Sequence, residues 1–268
     1  MSQTTRFPSR LLSRAAIAAV TLLLAVPSAA ALAQDTAEPE LTWAPLVTPP
    51  PIVAPPAMSA TDQVDGFSMG DPAAPVVVEV WEDFQCPFCH RFTYEVEPLI
   101  VEQYVTTGDA RLVYRTLAFL GDESQWAAVA ADLAAEQNMF WPFHDYLWAN
   151  YGGENNGAFH LDRLLQMGEA AGLDMAAFRA GLVLDKARER FARIEADSAV
   201  DAYALGISGT PTVVVNGVRL ESPDFGTIAD AIDIELAKAA TASTAAESGE
   251  EPAPSASVVP DEGPAGDE

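Results

Sequence analysis

Cysteine is scarce in this chain. Two cysteines occur in 268 residues, and both lie in the stretch WEDFQCPFCHRF, as Cys86 and Cys89. So few cysteines exclude a scaffold held by several disulfides, and a zinc ion, which takes four ligands, would find only these two and His90 close together. A disulfide between positions 86 and 89 closes a very short loop and would stabilise the fold by only about 2 kcal/mol. The pair is therefore placed for chemistry rather than for architecture, and no metal site is expected.

Basic residues are also few. The chain has 14 Lys and Arg against 39 Asp and Glu, which gives a formal net charge of −25 at pH 7. The phosphates of nucleic acids and of anionic membrane surfaces repel such a protein. No nucleic-acid partner is expected, and the acidic residues are interpreted mainly as solubilising surface charge.

The first 34 residues have the layout of a secretory signal peptide. Three arginines precede the apolar run AAIAAVTLLLAV, and the small-residue sequence AALAQ ends at Gln34. Residues 1–33 are predicted to be a cleaved signal peptide or, alternatively, an uncleaved N-terminal membrane anchor. Both alternatives predict an extracytoplasmic protein, which is secreted, periplasmic or anchored to the outer face of the cytoplasmic membrane. Disulfides persist in those compartments.

Two further segments lack the composition of a folded domain. Residues 34–65 are rich in proline, which favours extended polyproline II, and they are predicted to form a semi-rigid linker. Residues 241–268 contain no Lys, Arg or aromatic residue, so they cannot bury enough apolar surface to order themselves. They are predicted to be a disordered acidic tail. Residues 66–240 remain as one folded domain.

Strand and helix patterns alternate within this domain. The β-branched runs APVVVEVWEDF and ARLVYRTLAF are typical of buried strands, and CPFCHRFTYEVEPLIVEQYV between them has helical spacing. The chain is almost wholly helical from about 122 to 206. TPTVVVNGVRLES then predicts a strand, an Asn-Gly turn and a short partner strand, before a closing helix. This order predicts an α/β fold with a central mixed sheet flanked by helices and an inserted helical subdomain at about 122–206.

The motif Cys-x-x-Cys-His has two interpretations. It is the attachment pattern of a c-type haem, with His90 as the proximal ligand, and Cys-x-x-Cys between a strand and a helix is the pattern of a redox-active dithiol. Cys89 shares an apolar helix stripe with Phe92 and should face the core. Cys86 precedes the helix, whose free N–H groups and positive dipole end stabilise a thiolate. Cys86 is therefore predicted to be the nucleophile and Cys89 the resolving thiol.

A second stretch, GISGTPTVVVNG at residues 206–217, places Thr-Pro at the entrance of a buried strand, where proline is normally tolerated only at the first residue or at an edge. Together with DFQCPFC and the helical insertion, it resembles the thioredoxin-like superfamily, most closely the DsbA-like bacterial extracytoplasmic thiol–disulfide oxidoreductases. The resemblance covers about residues 66–240. It implies a thioredoxin-like fold with an inserted helical subdomain and protein-disulfide oxidoreductase activity without a cofactor.

The resemblance also implies a role for each matching position. Cys86 attacks or is attacked, Cys89 resolves, and Pro211 is cis and shapes the groove for a substrate peptide. The backbone of Thr210, the residue before that proline, would pair with an extended substrate chain. Pro87 and Phe88 fill the two positions between the cysteines. The expected substrate-binding residues are Thr210, Pro87 and Phe88.

Two departures from the family pattern concern electrostatics. Some DsbA-like proteins have a thiolate-stabilising histidine where Phe88 stands, so Phe88 puts a strongly oxidising potential in doubt. Thioredoxin-like enzymes often bury a carboxylate six residues before the first cysteine, as a proton relay to the resolving thiol. That position is Val80, with acids at Glu79, Glu82 and Asp83. Strand side chains alternate faces, so Glu79, the predicted relay, would serve only if a bulge reset the register; the alternative is that no buried relay exists.

These observations predict an extracytoplasmic thiol–disulfide oxidoreductase that acts on proteins through a mixed disulfide on Cys86, with the oxidase direction favoured. The expected partners are substrate proteins with thiols or disulfides and an external redox partner, because the sequence has no second cysteine pair to recharge the first. Two alternatives stay open at this point. One is a c-type haem electron-transfer protein, and the other is a non-enzymatic peptide-binding or chaperone module.

Overall fold

The computed structural model describes residues 50–56 and 63–248. The predicted signal peptide or anchor at 1–33 lies outside the described residues. So do the remaining parts of the predicted linker and the acidic sequence beyond residue 248. Within the described ranges, no helix is both long and apolar enough to cross a membrane.

A mixed sheet of six strands forms the centre of the described fold, in the spatial order β1-β2-β4-β3-β5-β6. The strands are β1 (Val64–Asp65), β2 (Ser68–Met69), β3 (Val76–Glu82), β4 (Ala110–Thr116), β5 (Thr212–Val215) and β6 (Val218–Arg219). Strands β3 and β4 are parallel, and the other neighbouring pairs are antiparallel. Strand β3 is therefore central, and its carboxyl end leads directly into the cysteine motif.

Helices cover this sheet. Those after β3 are α1 (Pro87–Glu95) and α2 (Glu97–Ile100), followed by a π-helical turn at Val101–Val105. Those after β4 are α3 (Asp122–Ala135), α4 (Phe140–Ala149), α5 (Leu161–Ala171), α6 (Met175–Gly181) and α7 (Leu184–Ala204). Helix α8 (Phe225–Ser248) closes the domain. The helical insertion expected at about 122–206 corresponds to α3–α7.

The limits of the folded domain differ from the predicted 66 and 240. At the start, Val64 and Asp65 already pair with β2, and at the end α8 continues to Ser248. Part of the predicted linker lies against the helical subdomain, because the N–H and C=O of Val53 bond the side-chain amide of Asn150, each at 2.9 Å. A proline-rich segment has no internal hydrogen bonds, so its backbone is free to bond a neighbouring amide in this way.

Strand β3 buries side chains on both faces of the sheet. Val80 lies in the main hydrophobic core, and Trp81 lies in a smaller cluster on the opposite face. The pairing of β3 with β4 runs without interruption from Val76 to Glu82, so no bulge breaks the alternation of side chains. Glu82 therefore shares the face of Val80, and Glu79 shares the face of Trp81.

One buried carboxylate holds the loop between β3 and α1. Asp83 Oδ1 accepts hydrogen bonds from the N–H of Gln85 (2.8 Å) and from the hydroxyl of Ser124 (2.6 Å). Its Oδ2 accepts from the N–H groups of Phe119 (2.9 Å) and Leu120 (3.0 Å). These four bonds fasten the loop that carries the first cysteine to the connection between β4 and α3.

We expect Asp83→Ala to lower the free energy of unfolding by about 3 kcal/mol or more, because it strands several buried donors without an acceptor. Asp71→Ala is a suitable control, since Asp71 Oδ1 accepts from the N–H of Ala73 in an exposed turn (2.8 Å). Urea unfolding followed by circular dichroism measures both. Equal losses in the two variants would show that Asp83 does not have this anchoring role.

Candidate active site

Cys86 caps the N-terminus of helix α1. Pro87 occupies the first helical position, where a missing N–H has no consequence for helical bonding. The Sγ of Cys86 accepts a hydrogen bond from the N–H of Cys89 at 3.4 Å and, as a thiol, donates to the carbonyl oxygen of Thr210 at 3.4 Å. Both cysteines are free thiols in the structure. The predicted position of Cys86 just before the helix is confirmed.

The loop before β5 reaches the same end of the sheet as the cysteine motif. Strands β3 and β5 are antiparallel, with Trp81 opposite Thr212, so the end of one strand lies beside the start of the other. The peptide bond between Thr210 and Pro211 is cis, as the resemblance implied. The contact of the Thr210 carbonyl with Cys86 follows from this register.

Both cysteines are buried, but their pKa values shift in opposite directions. A hydrogen bond from the Cys89 side chain contributes most to lowering the pKa of Cys86 from 9.0 to about 6; the Thr210 side chain and backbone N–H groups lower it further, and burial opposes them. Cys89 is 0% exposed, and its burial raises its pKa far above the ordinary value, with further increases from Cys86 and from the charge of Glu82. At neutral pH Cys86 is therefore mainly a thiolate and Cys89 a thiol.

The side chains next to the cysteines add little to this asymmetry. Phe88 is 60% exposed, and the guanidinium carbon of Arg91 lies 5.8 Å from its ring centroid. The imidazole of His90 stacks on Tyr151, with ring centroids 4.6 Å apart, and burial lowers the pKa of His90. Since His90 is uncharged at neutral pH, the thiolate does not depend on it. The low pKa of Cys86 arises without a histidine at position 88.

Glu79, the acid predicted to relay protons, does not lie near the thiols. Its Oε1 accepts from the Nε of Arg115 at 2.6 Å, and the two side chains form an ion pair on the face of the sheet that carries Trp81. The bulge that would have turned Glu79 towards the cysteines is absent from β3. The prediction of Glu79 is corrected for this reason.

Glu82 is the carboxyl group that faces the resolving thiol. It is 1% exposed, and within the described residues neither of its carboxylate oxygens has a hydrogen-bond partner. Burial raises the pKa of Glu82 well above its ordinary value, and the charges of Glu97 and Cys86 raise it further. The sequence contained the signal for this residue, because Glu82 follows Val80 by two positions and so points to the same face.

Two other neighbours of Glu82 were missed by the sequence analysis. Glu97 is contributed by α2 and His144 by α4, and one donor atom of each lies within 4.8 Å of the others and of a Glu82 oxygen. Both residues are buried. Nothing in their spacing along the chain shows that they meet, because the packing of α4 against the sheet brings them together.

A groove with a volume of about 420 Å³ opens beside the cysteine motif. It contains Phe88 and Thr210, two of the three residues predicted to bind substrate, and Pro211, which was predicted to shape the groove; the third, Pro87, is exposed at the start of α1. The other lining residues are Arg91, Phe92, Glu95, Val96, Ser222, Pro223 and Asp224. The groove is a surface of mixed apolar and charged character next to the reactive thiol.

This arrangement fits a dithiol better than a haem attachment site. A c-type haem would need both sulfurs and His90 on one open face of the helix. Cys89 is instead packed into the main core, and the ring of His90 lies against Tyr94 and Tyr151. The packing therefore leaves no open face for a porphyrin at Cys89.

Comparisons with known proteins point the same way. A family model described as Thioredoxin matches residues 62–234. The probable disulfide bond formation protein D of Bacillus cereus is 31% identical over 175 residues, which cover 64% of this chain and 79% of that protein. A Na⁺/H⁺ antiporter NhaA 3 of Salinispora tropica is 39% identical over 163 residues, which cover 58% of this chain but only 22% of that protein. So small a share of the antiporter carries no inference about ion transport.

Solved structures support the fold. Oxidised BdbD from Bacillus subtilis is similar with a TM-score of 0.58 and 22% sequence identity, covering 69% of this chain and 98% of that chain. The thioredoxin-like fold expected from the sequence is confirmed by this likeness and by the family match. Because the family match spans more than half of the chain and agrees with the dithiol geometry, the chain belongs to the thioredoxin family and is a DsbA-like protein-disulfide oxidoreductase.

Proposed function

We propose that this oxidoreductase introduces disulfides into extracytoplasmic proteins. The observation that carries the proposal is the position of Cys86 at the N-terminus of α1, where its Sγ accepts the N–H of Cys89. The pKa of Cys86 is lowered to about 6, whereas Cys89 is buried and keeps its proton. A stabilised Cys86 thiolate stabilises the reduced dithiol, and the corresponding disulfide is then a stronger oxidant.

The catalytic cycle assigns a separate step to each sulfur. A substrate thiolate attacks Cys86 Sγ in the oxidised enzyme and breaks its bond to Cys89, which leaves as a thiolate and takes a proton from the carboxyl of Glu82. A second substrate thiolate attacks the substrate sulfur of the mixed disulfide and displaces Cys86 as a thiolate. Two electrons pass from the substrate to the cysteine pair, and the substrate gains one disulfide.

The groove beside Cys86 is the proposed binding site for the substrate chain. Thr210 and Pro211 line it together with Phe88, directly beside the sulfur that forms the mixed disulfide. An extended segment lying there would place its backbone along Thr210 and an apolar side chain on Phe88. Unfolded or partly folded polypeptides offer such segments, so they are the proposed substrates.

The proposed enzyme acts outside the cytoplasm and depends on a redox partner for turnover. The N-terminal sequence, with its arginines and apolar run, supports export, with residues 1–33 either removed or kept as a membrane anchor. Reduced enzyme has to be reoxidised by an external redox partner, because the sequence holds no further cysteine. An oxidising compartment suits this direction of electron flow.

We expect the reduction potential of the Cys86–Cys89 couple to lie well above that of thioredoxin, which is about −270 mV. Equilibration of the protein with glutathione redox buffers, followed by trapping of free thiols, measures it. A reduction potential at or below the thioredoxin value would contradict the oxidase direction and indicate a reductase. Absence of any reversible couple would remove the enzymatic proposal and favour the peptide-binding alternative.

The thiolate of Cys86 should titrate with a midpoint of about 6 in the reduced protein, as followed by its ultraviolet absorbance. Cys89→Ala removes the hydrogen bond that lowers this pKa most, so the midpoint should rise by roughly one unit or more. Thr210→Val should raise it by a smaller amount, because the Thr210 contribution is smaller. A midpoint unchanged in both variants would contradict this assignment.

The same pKa predicts how stability depends on pH. The pKa of Cys86 is depressed in the folded, reduced state, so its ionisation stabilises that state fully above about pH 9, and this contribution is lost as the pH falls through about 6. Denaturant unfolding at several pH values should show the reduced form losing stability relative to the oxidised form over this window. A difference independent of pH would argue against a buried thiolate at Cys86.

Glu82→Gln should slow the oxidation of a reduced dithiol peptide on the order of 10²-fold at neutral pH, because Cys89 then leaves without a proton donor. Glu79→Gln is the matched control, since Glu79 lies on the same strand with its side chain on the opposite face. Single-turnover kinetics with a two-cysteine peptide distinguish the two variants. If Glu79→Gln oxidised the peptide slowly while Glu82→Gln oxidised it at the wild-type rate, Glu79 rather than Glu82 would be the proton donor.

A further inference from the structure

A buried polar cluster lies behind the resolving cysteine. Glu82 from β3, Glu97 from α2 and His144 from α4 are 1%, 6% and 0% exposed. One oxygen or nitrogen of each lies within 4.8 Å of the other two. The catalytic cycle uses only Glu82, so the role of the other two is open.

The hydrogen bonds of His144 fix its protonation state. An indole N–H can only donate, and Trp148 Nε1 donates to His144 Nε2 at 2.9 Å. Nε2 therefore carries the lone pair, while Nδ1 carries the proton and donates to Asp145 Oδ1 at 3.1 Å. The imidazole is neutral and both of its nitrogens are engaged. It gives the two carboxyl groups neither a positive charge nor a free ligand atom for a metal ion.

Among the residues that the structure describes, the other titratable groups that face the carboxyl pair bring no cation either. They are Cys86 at the N-cap of α1, Cys89 on α1, Tyr114 on β4 and Asp145 on α4. An ionised carboxylate buried without a hydrogen bond or a counter-charge is very costly, and both oxygens of Glu82 lack a partner within the described residues. Two carboxyl groups this close cannot both ionise readily. The pair is therefore neutralised by protons.

We propose that Glu82 and Glu97 form a carboxyl pair that shares protons, and that Glu97 resupplies Glu82 after Glu82 protonates Cys89. The Glu82 carboxyl gives its proton to the Cys89 thiolate and becomes a carboxylate. It then accepts a proton from the Glu97 carboxyl, which takes one from solvent water. This inference rests on the proposed role of Glu82, and Glu97 is a positioning residue that acts through it.

Two features support Glu97 as the outer member of the pair. It keeps 6% of its surface exposed, against 1% for Glu82, so it is closer to solvent. Burial is the main cause that raises the pKa of Glu97 to about 7, and the nearby charge of Asp145 raises it further. A group that titrates near neutral pH exchanges protons readily in both directions.

The test is the pH profile of disulfide opening in Glu97→Gln. A reduced peptide opens the Cys86–Cys89 disulfide of the full-length protein in a single turnover, and the rate is corrected for the thiolate fraction of the peptide. Removing the charge of Glu97 weakens the hold of Glu82 on its proton, so the alkaline decline in rate should move to lower pH by roughly one unit. Glu97→Asp keeps the carboxyl and should restore most of the wild-type profile.

Controls separate this effect from a structural one. Glu102→Gln removes an exposed carboxyl from the following π-helical turn and should leave the profile unchanged. Near-ultraviolet circular dichroism and thermal unfolding show whether Glu97→Gln is folded. If Glu97→Gln does not fold, the proposal is tested in the wild type instead, by following the infrared carbonyl stretch of protonated carboxyl groups as the pH changes. Two buried carboxyl groups that titrate in coupled steps support the proposed pair. A single buried carboxyl that titrates independently overturns it.

Other outcomes are equally decisive. An unchanged pH profile in folded Glu97→Gln, beside a changed one in Glu82→Gln, would remove Glu97 from the relay and leave the oxidoreductase function intact. A stoichiometric metal ion that the wild type retains and Glu97→Gln loses would overturn proton sharing, because the metal would then neutralise the pair. If the wild type has no reversible redox couple, the proposed function fails, while the infrared titration still tests the carboxyl pair.

Discussion

The register of strand β3 between β4 and β5 is the constraint on which the rest of the site depends. Uninterrupted pairing with β4 fixes the direction of every side chain up to Glu82, and antiparallel pairing with β5 brings the Thr210–Pro211 loop to the end of β3. The chain then turns into α1, with Cys86 at the helix N-terminus. A slip of one residue would exchange Glu82 for a neighbour on the opposite face and remove the carboxyl from beneath the dithiol.

Burial sets the protonation states of the groups that this geometry brings together. The two cysteines are separated by one helical turn and both are buried, yet the sulfur of Cys86 accepts a backbone hydrogen bond at the helix N-terminus, while Cys89 is completely enclosed. Low polarity raises the energy of any charge formed at Cys89, and it raises the pKa of Glu82 for the same reason, which favours a protonated carboxyl beside Cys89. The same desolvation thus sets the protonation states of both groups.

Much of the local structure was predictable because it depends on neighbours in sequence. The helix start at Pro87 and the inward position of Cys89 follow from helical geometry alone. The expectation that Glu79 lies near the thiols was wrong, although the alternation of strand side chains already places Glu82, rather than Glu79, on the face of Val80. The docking of Val53 on Asn150 was not predictable, since a proline-rich composition gives no sign of a distant bonding partner.

The sequence by itself determined that two cysteines lie at the start of a helix after a buried strand, that a Thr-Pro loop enters another strand, and that a helical insertion separates them. These properties arise from spacings of a few residues, where backbone geometry dictates the outcome. Only the tertiary structure decided that Glu82, Glu97 and His144 meet behind Cys89. They come from three separate elements, and the protonation of the two glutamates depends on a shared burial that exists only once those elements have packed.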